Sequence, residues 1–73
     1  MSDPESMTLV NSLTPRERDV LILASKGATR PYIAQLLGVK PSTIHDHMKC
    51  IHEKFNAPTT VECAVIAAKA GIV

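Results

Sequence analysis

Aromatic side chains are scarce in this chain, which has no Trp, one Tyr and one Phe among 73 residues. Any core must therefore be filled by Leu, Ile, Val and Ala. No apolar run approaches the roughly 18 residues that a membrane-spanning helix needs. The opening MSDPESMTLV is acidic and polar and lacks the basic start of a signal peptide, so a cytoplasmic protein is expected. Cysteine is limited to Cys50 and Cys63, whose spacing fits neither a zinc framework nor a disulfide scaffold, and two reduced thiols are expected. His47 and Cys50 stand at i, i+3 on one helical pattern, but no third or fourth ligand converges with them, so neither a metal nor another cofactor is expected. The chain also lacks a nucleophile–base constellation, a phosphate-cradling glycine loop and clustered carboxylates, which argues against an enzyme.

What remains is a small, moderately apolar domain. Hydrophobic residues make up 45% of the chain, which excludes a disordered tail. A domain of this size buries only about 60% of its unfolded surface, so a partner covering more apolar area would stabilise it. The formal charge of +1 is weak for a nucleic-acid binder. However, Asp3 and Glu5 lie in the opening segment, and residues 12–73 carry eight basic against five acidic side chains. That excess of positive charge permits DNA binding without demanding it.

Four helical patterns follow a lead-in. Residues 1–12 show no periodicity and read as flexible. Thr14-Pro15-Arg16-Glu17 combines an N-cap, a proline at the first helical position and a Glu three residues on, which together start a helix over about 15–25. Gly27 closes it. Thr29 and Pro31 start a second, short helix over 30–37, with Ile33, Leu36 and Leu37 as its buried stripe and Gly38 as its stop. A third runs from Pro41 to Phe55. Ile44, Met48, Ile51 and Phe55 form its apolar side, His47 borders that stripe, and Ser42, Asp46, Lys49 and Glu53 fall on the opposite side. A short helix, a glycine turn and a longer helix with a polar outer face make a helix-turn-helix. In that motif the N-terminal half of the second helix meets base edges in the major groove.

The fourth pattern, 59–70, opens with Thr59 and Glu62 as a second capping box. Val61, Ala64, Val65 and Ala68 give one apolar face, and Cys63, Ile66, Ala67 and Ala70 a nearly opposite one. Four helices are too few to cover both, so the second face, Cys63, Ile66, Ala67 and Ala70, is expected to be a protein interface.

The segments LTPRERDVL, IAQLLGV, STIHDHMKCIHEKF and TTVECAVIAAKAGIV, spanning about residues 13–73, resemble a LuxR-type (GerE-type) DNA-binding domain. The resemblance implies an all-α, compact four-helix domain with its helix-turn-helix at 30–37 and 41–55. It implies a bacterial transcription regulator that dimerises through 59–70 and binds double-stranded DNA, with the transcription machinery as a further possible partner and no membrane. It is either a stand-alone member or the C-terminal domain of a longer protein. Carried over by position, the resemblance implies Arg30, Thr43 and Lys54 as phosphate contacts, His45 and Asp46 as groove-facing readers, and Lys49 reaching base edges or phosphate. Departures from the family pattern are Lys40 where a Ser or Thr cap is usual, Pro31-Tyr32 where a Lys-Glu pair is common, and Asp46 where a small apolar residue is usual. A carboxylate in the groove is repelled by phosphate yet can accept a hydrogen bond from cytosine N4. The alternative is a degenerate helix-turn-helix that serves as a protein-interaction module with weak or no DNA binding.

Overall fold

A computed structural model describes residues 2–73; Met1 of the expected lead-in lies outside the described residues. Five helices and no strands are present among them: α1 (Pro4–Asn11), α2 (Pro15–Ser25), α3 (Arg30–Leu37), α4 (Pro41–Phe55) and α5 (Thr60–Ala70). The expected four-helix count is thus corrected, because the lead-in contains α1. Its start is chemically explicit. The Asp3 carboxylate accepts from the Ser6 backbone N–H at 3.0 Å and from the Ser6 hydroxyl at 2.8 Å, and Pro4 occupies the first turn. These bonds hold the Asp3 carboxyl below its usual range, the Ser6 hydroxyl contributing most. Val10 is fully buried, and α1 packs against α5.

The other starts and stops follow the residues. Thr14 and Glu17 make the reciprocal capping box, with Glu17 N–H donating to Thr14 Oγ1 at 3.1 Å and Thr14 N–H to Glu17 Oε1 at 2.9 Å. Thr29 caps α3 through the Tyr32 N–H, and Gly38 ends it in the left-handed conformation at φ +68°. That φ is one that a side chain with a Cβ resists, so the glycine fixes where α3 turns into α4. Thr59 accepts from the Glu62 N–H at 3.2 Å, the one arm of the expected second capping box that forms.

One core serves all five helices. Leu21, Ile33, Ile44, Met48, Ile51 and Val20 lie at its centre, with no exposed aromatic needed to close it. α2 runs against α3, α4 and α5, and α3 rests on α4. Within α3 the buried partner of Ile33 is Ala34, whereas Leu36, expected in the stripe, is 52% exposed. The stripe of α4 is as its spacing implies: Ile44, Met48, Ile51 and Phe55 are all buried.

α5 turns the opposite way from expectation. Cys63, Ala67 and Ala70 are buried and Ile66 is half-buried, so this face belongs to the core and is not available to a partner. The exposed face is Val61, Val65 and Ala68, flanked by half-buried Ala64. α5 packs against α1, α2 and α4, and α1 is the neighbour that a four-helix reading lacks. The Asp3 N–H donates to the Lys69 carbonyl at 2.7 Å and ties the start of α1 to the last turn of α5.

Candidate nucleic-acid interface

The α3–α4 pair leaves one long face of α4 open to solvent. Because Ile44, Met48 and Ile51 anchor its inner side, Ser42, His45, Asp46, Lys49 and Cys50 are exposed on its N-terminal half and middle. Thr43, at the edge of the turn, is half-buried. His45, Asp46 and Lys49 are therefore brought to a single convex surface, the geometry with which a helix enters a major groove about 12 Å wide. Arg30 joins them from the first turn of α3: its guanidinium lies 3.2 Å from His45 Nδ1. Tyr32, in the same first turn of α3 but about 200° around the helix from Arg30, is 53% exposed.

α4 begins without a side-chain cap. Lys40 holds the N-cap position in extended conformation and makes no capping hydrogen bond, whereas α1, α2, α3 and α5 are each capped by Asp or Thr. The departure at Lys40 is thus a physical one, and the positive end of the α4 dipole carries an additional cation beside it.

Lys54 lies elsewhere. Its ammonium donates to Glu17 Oε1 at 2.7 Å and to the Ser12 carbonyl at 3.2 Å, so it joins the end of α4 to the α1–α2 junction. The structure thus does not bring it together with Arg30, His45, Asp46 and Lys49. Burial alone would raise the Glu17 carboxyl; the hydrogen bonds from Lys54 and the Thr14 N–H, with the Lys54 charge, outweigh it and hold the group below its usual range. Glu17 therefore acts twice, as an arm of the capping box and as the buried end of an ion pair. The first role is visible in the local sequence. The second spans 37 residues and has no local signal.

The remaining chemistry on α4 is internal. His52 Nδ1 lies 2.7 Å from the Ala57 carbonyl and so donates to it, which bridges the turn into α5, and Cys63 Sγ sits 3.4 Å from the same nitrogen. Burial, reinforced by the Glu62 charge, pushes the Cys63 thiol up and keeps it protonated and unreactive. Cys50 is exposed and Cys63 buried, and no disulfide joins them.

Residues 11–67 match the family described as bacterial regulatory proteins, luxR family (GerE). The chain belongs to this family. Relatives include the nitrate/nitrite response regulator protein NarL of Escherichia coli K12, 43% identical over 56 residues, which cover 77% of this chain and 26% of that protein. The HTH-type quorum-sensing regulator RhlR of Pseudomonas aeruginosa is 33% identical over all 73 residues, or 30% of its length. The putative HTH-type transcriptional regulator Rv0890c of Mycobacterium tuberculosis is 40% identical over 60 residues, 82% of this chain and 7% of that protein. The chain thus spans less than a third of the length of these relatives. Membership of the luxR family accounts for the helix-turn-helix. The uncapped Lys40 and the acidic Asp46 both stand exposed at the N-terminal half of α4. Among the described residues, no helix is long and apolar enough to cross a membrane.

Proposed function

We propose that this domain is the DNA-binding part of a transcription regulator and reads double-stranded DNA with α4 in the major groove. The observation that carries the reading is the division of α4: one side is fully committed to the core, and the other presents His45, Asp46 and Lys49 together at the helix's exposed N-terminal half. Lys49 and Arg30 supply positive charge toward phosphate and base edges, Thr43 contributes a hydroxyl at the groove edge, and Asp46 accepts from a cytosine or adenine amino group. Lys54 is outside this set.

Dimerisation belongs to the same proposal, through the exposed stripe Val61, Ala64, Val65 and Ala68 of α5. Val61 is 72% and Val65 47% exposed, and the stripe repeats at i, i+3, i+4, i+7 with small side chains that let a second copy of α5 approach closely. Two copies would then address a site of two-fold symmetry.

The test is a fluorescence-anisotropy titration of DNA selected from a random pool, repeated over a salt series. Binding should fall steeply with salt because phosphate contacts release counterions. Lys49→Ala should weaken it severalfold, a loss of about 1 kcal/mol, with an unchanged melting temperature. Wild-type protein that shows no salt-dependent binding to any DNA would overturn the reading. It would favour a protein-interaction module, in which the exposed Asp46 and Glu53 repel phosphate.

A further inference from the structure

The contact between Arg30 and His45 joins the two helices of the motif across the exposed face. The guanidinium Nη1 lies 3.2 Å from His45 Nδ1, and both side chains are exposed. The polarity of this bond is dictated by chemistry. Guanidinium carries five N–H donors, has no acceptor and does not lose its proton in proteins. His45 Nδ1 is therefore the acceptor. A neutral imidazole whose Nδ1 lone pair is engaged carries its proton on Nε2. The corner of the ring away from Arg30 is then an N–H donor, and the ring can no longer exchange donor for acceptor there.

We propose that Arg30 is a positioning residue that sets His45 as a donor-only reader, and that His45 thereby selects guanine at its base pair. Guanine offers two acceptors to the major groove, N7 and O6. Cytosine offers only its amino donor, which the Nε2–H cannot satisfy, adenine places an amino donor beside its N7, and thymine has a single acceptor, O4, beside its bulky methyl group. Without Arg30 the imidazole can take either tautomer, accept from an amino group, and discriminate less. Asp46, the next residue on the same exposed face, is acceptor-only, so the two neighbours form a donor beside an acceptor with opposite base preferences. The remaining N–H groups of Arg30 stay available to phosphate. The distinguishing property is specificity at one base pair, because a phosphate contact alone changes affinity for all sequences alike.

This inference rests on α4 being the reading helix, and two measurements separate its failure from failure of that reading. The first needs no DNA. In ¹⁵N-labelled free protein at pH 8, the His45 ring should show the Nε2–H tautomer alone, with Nδ1 as the unprotonated nitrogen. Arg30→Ala should move both nitrogens toward the averaged shifts of a mixed population. A wild-type Nδ1–H ring, or a spectrum unchanged by Arg30→Ala, overturns the proposal. The second is selection from a random DNA pool followed by competition titrations. Wild type should prefer guanine at one position of each half-site by roughly tenfold. Arg30→Ala and His45→Ala should both erase that preference and keep the others, and Arg30→Lys, which still has only donors, should restore part of it. Arg30→Ala that lowers affinity equally for every sequence overturns the proposal in favour of a phosphate clamp. Wild type that binds no DNA at all overturns the reading of α4 itself, while the His45 spectrum still judges the Arg30 contact.

Discussion

Helices α4 and α5 each bury one side, but they are made of opposite materials. α4 sets Ile44, Met48, Ile51 and Phe55 against an outer arc that is polar apart from Cys50, so a single orientation removes most of its apolar surface from water. α5 has Ala, Val, Cys and Ile on every side, and Glu62 and Lys69 are its only charges. Several orientations would bury similar area, and the one adopted depends on which neighbours reach it. The helix with strong contrast orients itself, whereas the helix without contrast is oriented by the rest of the fold. The α4 surface left over is polar and suited to nucleic acid, and the α5 surface left over is apolar and suited to another α5.

The sharpest way to break this comparison is to place the same charge on the two faces of α5. Ala67 is fully buried, and Ala67→Glu puts an unpaired carboxylate in the core, at a cost of about 3 kcal/mol or more. For a 73-residue domain that is a large part of the total stability, so the variant should be largely unfolded by circular dichroism. Val65→Glu should retain the fold and the melting temperature of an isolated copy, within about 0.5 kcal/mol, yet sediment as a monomer where wild type is a dimer. If Ala67→Glu folds normally, the inner face is misassigned. If Val65→Glu remains dimeric, the exposed stripe is not the interface.

This asymmetry explains what was legible in the residues. The stripe of α4, the Thr14–Glu17 box and the Gly38 turn are local patterns, and each appears in the structure as its spacing implies. The exposure of His45, Asp46 and Lys49 follows from that stripe, so this much of the candidate site was legible too. α1 is hard to read from the residues because its eight residues, with Met7, Leu9 and Val10 packed on the core, show little periodicity, although Asp3-Pro4 and Ser6 form a readable start signal. Without α1, α5 is one neighbour short, and its residues alone do not say which apolar face turns inward. The Arg30–His45 and Lys54–Glu17 contacts are 15 and 37 residues apart, and only the packing of one helix on another brings them together.

Lys54 sharpens the comparison at the inner end of α4. Lys54→Ala should leave Glu17 without its counter-charge and destabilise the domain by about 1–2 kcal/mol at pH 7 in urea denaturation, modest because Lys54 is partly exposed. The pH dependence has a definite sign. The folded Glu17 carboxyl is held below its unfolded value, so its contribution is fully present above about pH 4.3 and lost as pH falls through the folded value. The difference between wild type and Lys54→Ala should therefore shrink in acid. A difference that stays the same once acid has protonated Glu17 in the folded protein would show that the ion pair contributes nothing. DNA affinity at pH 7 should be unchanged, in contrast to Lys49→Ala.

The smallest effect is expected at the outer end of α4, where stability and binding are opposed. Lys40 is an N-cap that caps nothing and sets a cation against the positive end of the helix dipole. Lys40→Ser supplies the missing acceptor and should add about 1 kcal/mol, raising the melting temperature by about 4–8 °C in a domain of this size. The same exchange removes a positive charge from the end of α4 that the proposed reading turns toward DNA. Its DNA affinity should fall slightly, and the slope of log K against log salt should decrease by about one. A melting temperature that rises with no change in slope would show that Lys40 is merely a poor cap. A rise accompanied by the shallower slope would show that this chain gives up a cap at its reading helix, and at no other helix among the described residues, for a phosphate contact.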